Sequence, residues 1–127
     1  MNAATRALVR QRADHRCEYC QIHQDDSPLA ALHIEHIRPR KHGGGDDHSN
    51  LCLACIDCNL HKGSNLTGID PHSDAMTPLF HPREQKWEDH FQWDGVHIAG
   101  RTDIGRTTIR VLCMNSDEQL ELRMAAG

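Results

Sequence analysis

Aromatic residues are scarce in this chain. Of 127 positions, two are Phe, two Trp and one Tyr, and 38% are hydrophobic overall. A core of that size is small for the length and calls for a staple such as a bound metal. No apolar run approaches the roughly 20 residues of a membrane span. The opening stretch MNAATRALVRQRADHR lacks the hydrophobic segment of a secretory signal. A cytoplasmic location is the expectation, and there six cysteines read as metal ligands or free thiols rather than disulfides. Positive charge is not in excess either. A formal net charge of −4 argues against a strongly basic nucleic-acid-binding protein. Internal repeats and low-complexity segments are absent.

What is present is uneven. Residues 1–64 carry eight Lys/Arg and eight Asp/Glu, and seven of the eleven histidines, whereas residues 65–127 carry six cations against ten acids. An anionic ligand therefore belongs with the N-terminal half. Residues 3–16 read as a helix ending near Cys17, with four arginines spread around it. A polar loop over QIHQDDSPLAA follows the first cysteine pair. LHIEHI alternates as a short strand with Leu32, Ile34 and His36 on one face and His33, Glu35 and Ile37 on the other. RPRKHGGGDDHSN is a loop by composition, LCLAC a second strand, and CNLHKG the start of a helix that Gly63 can close. Beyond residue 64 the chain reads as an irregular connection, then a helix from Pro82 to about Phe91. An Asp94-Gly95 hairpin, a helix capped by Thr102 and a last helix with a Ser116/Gln119 capping box complete it.

Cys17-x-x-Cys20 and Cys55-x-x-Cys58 are two knuckles with 34 residues between them. Two such pairs can close a tetrahedral zinc site. Four cysteine ligands saturate zinc, so this site would be structural, clamping the first helix to the helix that starts at Cys58. Cys52 and Cys113 read as ordinary small buried residues.

Between the knuckles, IEHIRPRKHGG followed by NLCLACIDCNLHKG resembles the HNH endonuclease motif, also called the His-Me finger or ββα-metal nuclease fold, of the bacterial or phage type with a four-cysteine zinc site. The matching positions are Glu35, His36, Ile37, Pro39, Gly43-Gly44, Asn50-Leu51, Cys55 to Cys58, Asn59 and Lys62. The resemblance implies that His36 is the general base and that Glu35 and Asn59 ligate a catalytic divalent ion. Their oxygen donors suit Mg²⁺ or Mn²⁺. Asn50 would fix the loop behind His36, Lys62 would reach a phosphate, and His61 is a candidate third metal ligand. Arg38, Arg40 and Lys41 could neutralise phosphates. The glycines would make a side-chain-poor loop that a duplex can approach.

These readings converge on an α+β fold in one domain. Residues 1–64 would form a ββα-metal core with zinc knuckles, and residues 65–127 a C-terminal helix/hairpin/helix extension that is structural. The resemblance implies an endonuclease that hydrolyses DNA phosphodiester bonds with one divalent metal and leaves 5′-phosphate and 3′-hydroxyl ends. A protein partner could supply specificity, since no reading helix is evident. Two rivals are a zinc-finger module that binds nucleic acid without cutting, which would not need Glu35, His36, Asn59 and Lys62 together, and an RNA-directed nuclease of the same fold.

Overall fold

A computed structural model of the chain describes residues 1–27 and 31–127. The part of the expected polar loop at Pro28, Leu29 and Ala30 lies outside the described residues.

The first helix, α1 (Ala3–Arg12), starts where Asn2 accepts the Thr5 amide at 2.8 Å and buries only Val9. It is shorter than its pattern suggests. Asp14 and His15 both take left-handed φ values, 54° and 55°, which no helix continues through. The turn delivers Cys17 into the interior, where the Glu18 amide bonds the Leu53 carbonyl at 2.8 Å.

β1 (His33–His36) pairs antiparallel with β2 (Leu51–Ala54), placing Glu35 opposite Cys52 and His36 opposite Leu51. Every residue of β2 is buried, as its continuous apolar run demands. Cys55 then caps α2 (Ile56–Lys62), accepting the Cys58 amide on its sulfur. The helix thus begins before the second knuckle closes, two residues earlier than expected. This ββα unit holds Glu35, His36, Asn59, His61 and Lys62, with Cys55 and Cys58 at the start of its helix.

The segment after residue 64 is not an irregular connection. It forms a hairpin of β3 (Thr67–Ile69) and β4 (Met76–Pro78). Only Thr77 of its six strand residues is buried, so the chain offered no apolar alternation to reveal it. The helix expected from Pro82 also gives way. His81 caps a turn through its ring nitrogen, and only α3 (Trp87–His90) is helical, after an extended Lys86. Phe91 opens the hairpin β5 (Phe91–Asp94) and β6 (His97–Gly100), with Gly95 at φ 60° in its turn. α4 (Asp103–Leu112) starts on the Thr102 hydroxyl and α5 (Asp117–Ala126) on Ser116.

The five aromatic residues are not dispersed. Tyr19, Phe80, Phe91, Trp87 and Trp93 make one continuous chain of ring contacts, with centroids 5.1–6.5 Å apart. That chain joins the first knuckle to the extension. The Trp87 indole N–H donates to the Tyr19 carbonyl at 2.7 Å, and Arg83 pairs with Glu18. No described helix is long and apolar enough to cross a membrane.

Candidate metal centre and active site

The two knuckles meet. The ligand atoms of Cys17, Cys20, Cys55 and Cys58 all lie within 4.8 Å of one another, and all four residues are buried. Cys20 and Cys55 sulfurs are 3.6 Å apart, close to the edge of about 3.8 Å in a tetrahedron with metal–sulfur distances of about 2.3 Å. Amide N–H groups of Cys20 and Cys58 each point at the sulfur three residues back, at 3.4 Å. Hydrogen bonds from Cys17, Cys20 and Cys58 push the Cys55 thiol far towards thiolate, while burial pushes Cys17 up. A single sulfur-seeking divalent cation would let all four ionise. The cluster fits zinc.

Two residues of the extension reach this centre. Gln119 on α5 fulfils half of the expected capping box, its amide bonding Ser116 at 3.2 Å. Its side chain turns away instead, donating to Asp57 at 3.1 Å and to the Cys55 sulfur at 3.8 Å. The positive charge of Arg123 lies close enough to feel all four thiols. Of the two spare cysteines, Cys52 is buried as expected, but Cys113 is exposed at the left-handed C-cap of α4.

On β1 the alternation of faces separates Glu35 from His36. Glu35 turns into the core. One carboxylate oxygen takes the Cys52 thiol at 3.5 Å, and the other lies 3.6 Å from the Lys62 ammonium without any hydrogen bond. Burial holds the Glu35 carboxyl above the ordinary glutamate value, and Lys62 opposes that shift. Lys62 is only 1% exposed and donates to the Ile37 carbonyl at 2.9 Å. The sequence-based expectation put it against a phosphate; in the fold it is the counter-charge of Glu35. Asn59, one turn earlier on α2, is half-buried, and its side-chain carboxamide has no partner among the described residues. His61 is exposed, its ring bonded to the Asp57 carbonyl of its own helix at 2.8 Å. His61 joins no cluster of metal-ligating side chains with Glu35 among the described residues.

His36 faces the glycine loop. Its Nε2 lies 2.7 Å from the Asp46 carboxylate, which Arg40 also holds at 3.0 Å. The hydrogen bond with His36 keeps the Asp46 carboxyl below its ordinary value. An ionised carboxylate only accepts, so Nε2 is the donor to Asp46, and in the neutral imidazole that tautomer leaves the Nδ1 lone pair available. Asp46 escaped the sequence reading because an acid in a Gly-rich loop looks merely solvated. Asn50 stands where expected, locking that loop. It accepts the Arg38 amide at 2.8 Å and donates to the Arg38 and Gly45 carbonyls at 3.0 and 2.8 Å. A Cβ at Gly44 would overlap the Arg38 carbonyl and crowd the Asn50 amide. Glycine is there to let the loop close on Asn50, an intramolecular reason.

Residues 17–65 match the family model described as HNH endonuclease. This segment is an HNH domain. The chain is also 23% identical over 117 residues to the Septu protein PtuB of Bacillus thuringiensis. That match covers 87% of this chain and 40% of the relative, so the chain spans less than half the length of that curated protein. No solved structure matches. The HNH match stops at α2, so the Gln119 and Arg123 contacts come from outside the recognised segment.

Proposed function

We propose that the HNH domain hydrolyses phosphodiester bonds in DNA, with His36 as general base and one divalent ion, Mg²⁺ or Mn²⁺, bound by Glu35 and Asn59. The observation that carries this reading is the His36–Asp46 contact at 2.7 Å. It fixes the imidazole so that a free Nδ1 can take the proton of an attacking water. The water oxygen then bonds to phosphorus as the P–O3′ bond breaks. The leaving 3′ oxygen takes a proton from solvent, leaving 5′-phosphate and 3′-hydroxyl ends.

Glu35 fits a cation ligand because one buried oxygen lacks a hydrogen-bond donor, and Asn59 fits because its side-chain carboxamide is uncommitted. A metal held there would supply positive charge for the phosphate and leaving oxygens. Lys62 acts as a positioning residue that holds Glu35. Asn50 sets the backbone on which His36 and Asp46 meet. With a net charge of −4 and no element shaped to read bases, sequence choice would rest with a protein partner.

One observation favours a second reading, a nucleic-acid-binding module that does not cut. Lys62 already neutralises Glu35, leaving the carboxylate less to offer a metal. A supercoiled-plasmid nicking assay decides between them. Cutting is expected with Mg²⁺ or Mn²⁺, none with EDTA, and none with Glu35→Ala or Asn59→Ala of unchanged zinc content. Absence of nicking by the parent protein under every divalent ion would sink the nuclease reading.

A further inference from the structure

We propose that the groove between α1 and β1 is a docking track for the DNA phosphate backbone beside the cleavage point, gripped by Arg6 and Arg10. This rests on the nuclease reading above, and its two arginines lie outside the HNH match. α1 carries Arg6, Arg10 and Arg12 and no acid, and Arg16 follows just past its end. The fold divides those four arginines into two kinds. Arg12 is committed to structure, its guanidinium donating to the carbonyls of His48 at 2.7 Å and Leu51 at 2.5 Å. Arg16 donates to the Gln21 carbonyl at 3.1 Å. The side chains of Arg6 and Arg10 make no hydrogen bond or ion pair among the described residues. They lie four apart on one helix face, about 6 Å along the axis.

Both arginines line a groove of about 410 Å³ together with His33 and Ile34 of β1, and among the described residues no acidic side chain lines it. In a chain with 18 acids against 14 cations, an acid-free concave face with two unpaired guanidiniums is complementary to an anion. Ile34 and His36 share one face of β1, two residues and about 7 Å apart. A duplex presents its phosphates in a continuous row with one charge per about 1.7 Å of axis, so a backbone seated in the groove would continue onto His36. On the far side Lys41 is exposed in the glycine loop.

The test measures binding of a fluorescein-labelled DNA duplex by the full chain across NaCl concentrations, without added divalent metal. The double variant Arg6→Ala/Arg10→Ala is compared with the parent and with Arg101→Ala/Arg110→Ala, an equal charge change at exposed sites on the extension. Two lost phosphate contacts should flatten the slope of log K against log[NaCl] by about 1.8, with the control unchanged. Zinc content and circular dichroism should be unaltered, because neither arginine holds any part of the fold. An unchanged slope, an equal change in the control, or no duplex binding by the parent overturns the track. Hydrolysis of bis(p-nitrophenyl) phosphate with Mn²⁺ separates this from the nuclease reading. That ester is too small to span the groove, so the double variant should hydrolyse it at the parental rate. Failure of the parent on both ester and plasmid would refute the catalytic reading, while the binding slopes still judge the track.

Discussion

Replacing Lys62 with Met isolates the buried pair at the centre of the HNH domain. The Lys62 ammonium and Glu35 carboxylate are 3.6 Å apart, with side chains 2% and 6% exposed. Met keeps most of the volume and removes the charge. What remains is a buried carboxylate whose one oxygen already lacks a donor, and an Ile37 carbonyl that has lost a hydrogen bond. Breaking a buried pair from one side costs about 3–5 kcal/mol, which for a chain of this size lowers the thermal midpoint by on the order of 10–20 °C. Glu35→Gln should also destabilise, since it strands the ammonium. The double variant removes both charges and should recover most of the loss. Thermal unfolding followed by circular dichroism at pH 7.5, without divalent metal, measures all four corners of the cycle. If Lys62→Met stays within about 0.5 kcal/mol of the parent, as a solvated surface lysine would, or if the two changes simply add, the pair is not a structural unit and the assignment of Lys62 is refuted.

Three further outcomes follow from the geometry. Purified protein should hold one tightly bound zinc, and Cys58→Ser should lose it together with the order of the N-terminal half, because binding energy here is folding energy; a folded, zinc-free parent would contradict this. His36→Ala should lower cleavage by a factor on the order of 10²–10⁴, while His33→Ala, on the other face of β1, keeps the rate at saturating DNA; the reverse pattern would mean that His33 is the base. The buried Asp70 accepts Arg106 through two nitrogens at 3.0 Å, the His72 amide at 3.1 Å and the Ser73 hydroxyl at 2.9 Å, and these hold its carboxyl well below the usual range. A depressed folded value contributes stability above the ordinary aspartate pKa of about 3.9, lost as pH falls below it. The thermal midpoint of the parent should accordingly drop more steeply below pH 4 than that of Arg106→Met, and equal slopes would rule the linkage out.

Much of the candidate site was legible in the sequence because its signals are local. The alternation of LHIEHI put Glu35 and His36 on opposite faces, and the fold agrees, with Glu35 buried and His36 half-buried. The knuckle spacing announced a four-cysteine cluster, and Thr102 and Ser116 announced two helix starts. Reading failed where a neighbour distant in sequence decides. A lysine at the end of a short helix reads as a surface charge until β1 supplies a buried carboxylate for it. Asp46 reads as a solvated loop acid until Asn50 folds the loop back against His36. Gln119 reads as a cap, and half of it is. α1 was read too long because its arginines and alanines carry no stop signal, and the left-handed turn at Asp14 and His15 is imposed by the need to bring Cys17 inside.

The Gln119 contact also says something about timing. Its partner Asp57 lies 62 residues earlier in the chain. At a synthesis rate of roughly 5–20 residues per second, both knuckles leave the ribosome several seconds before α5 exists. Through that interval the nascent metal cluster lacks its side-chain donor to Cys55 and the nearby charge of Arg123. A ribosome-held chain ending before residue 119 should therefore exchange its zinc with a chelator faster than the finished protein does, and the centre would mature only when the extension docks.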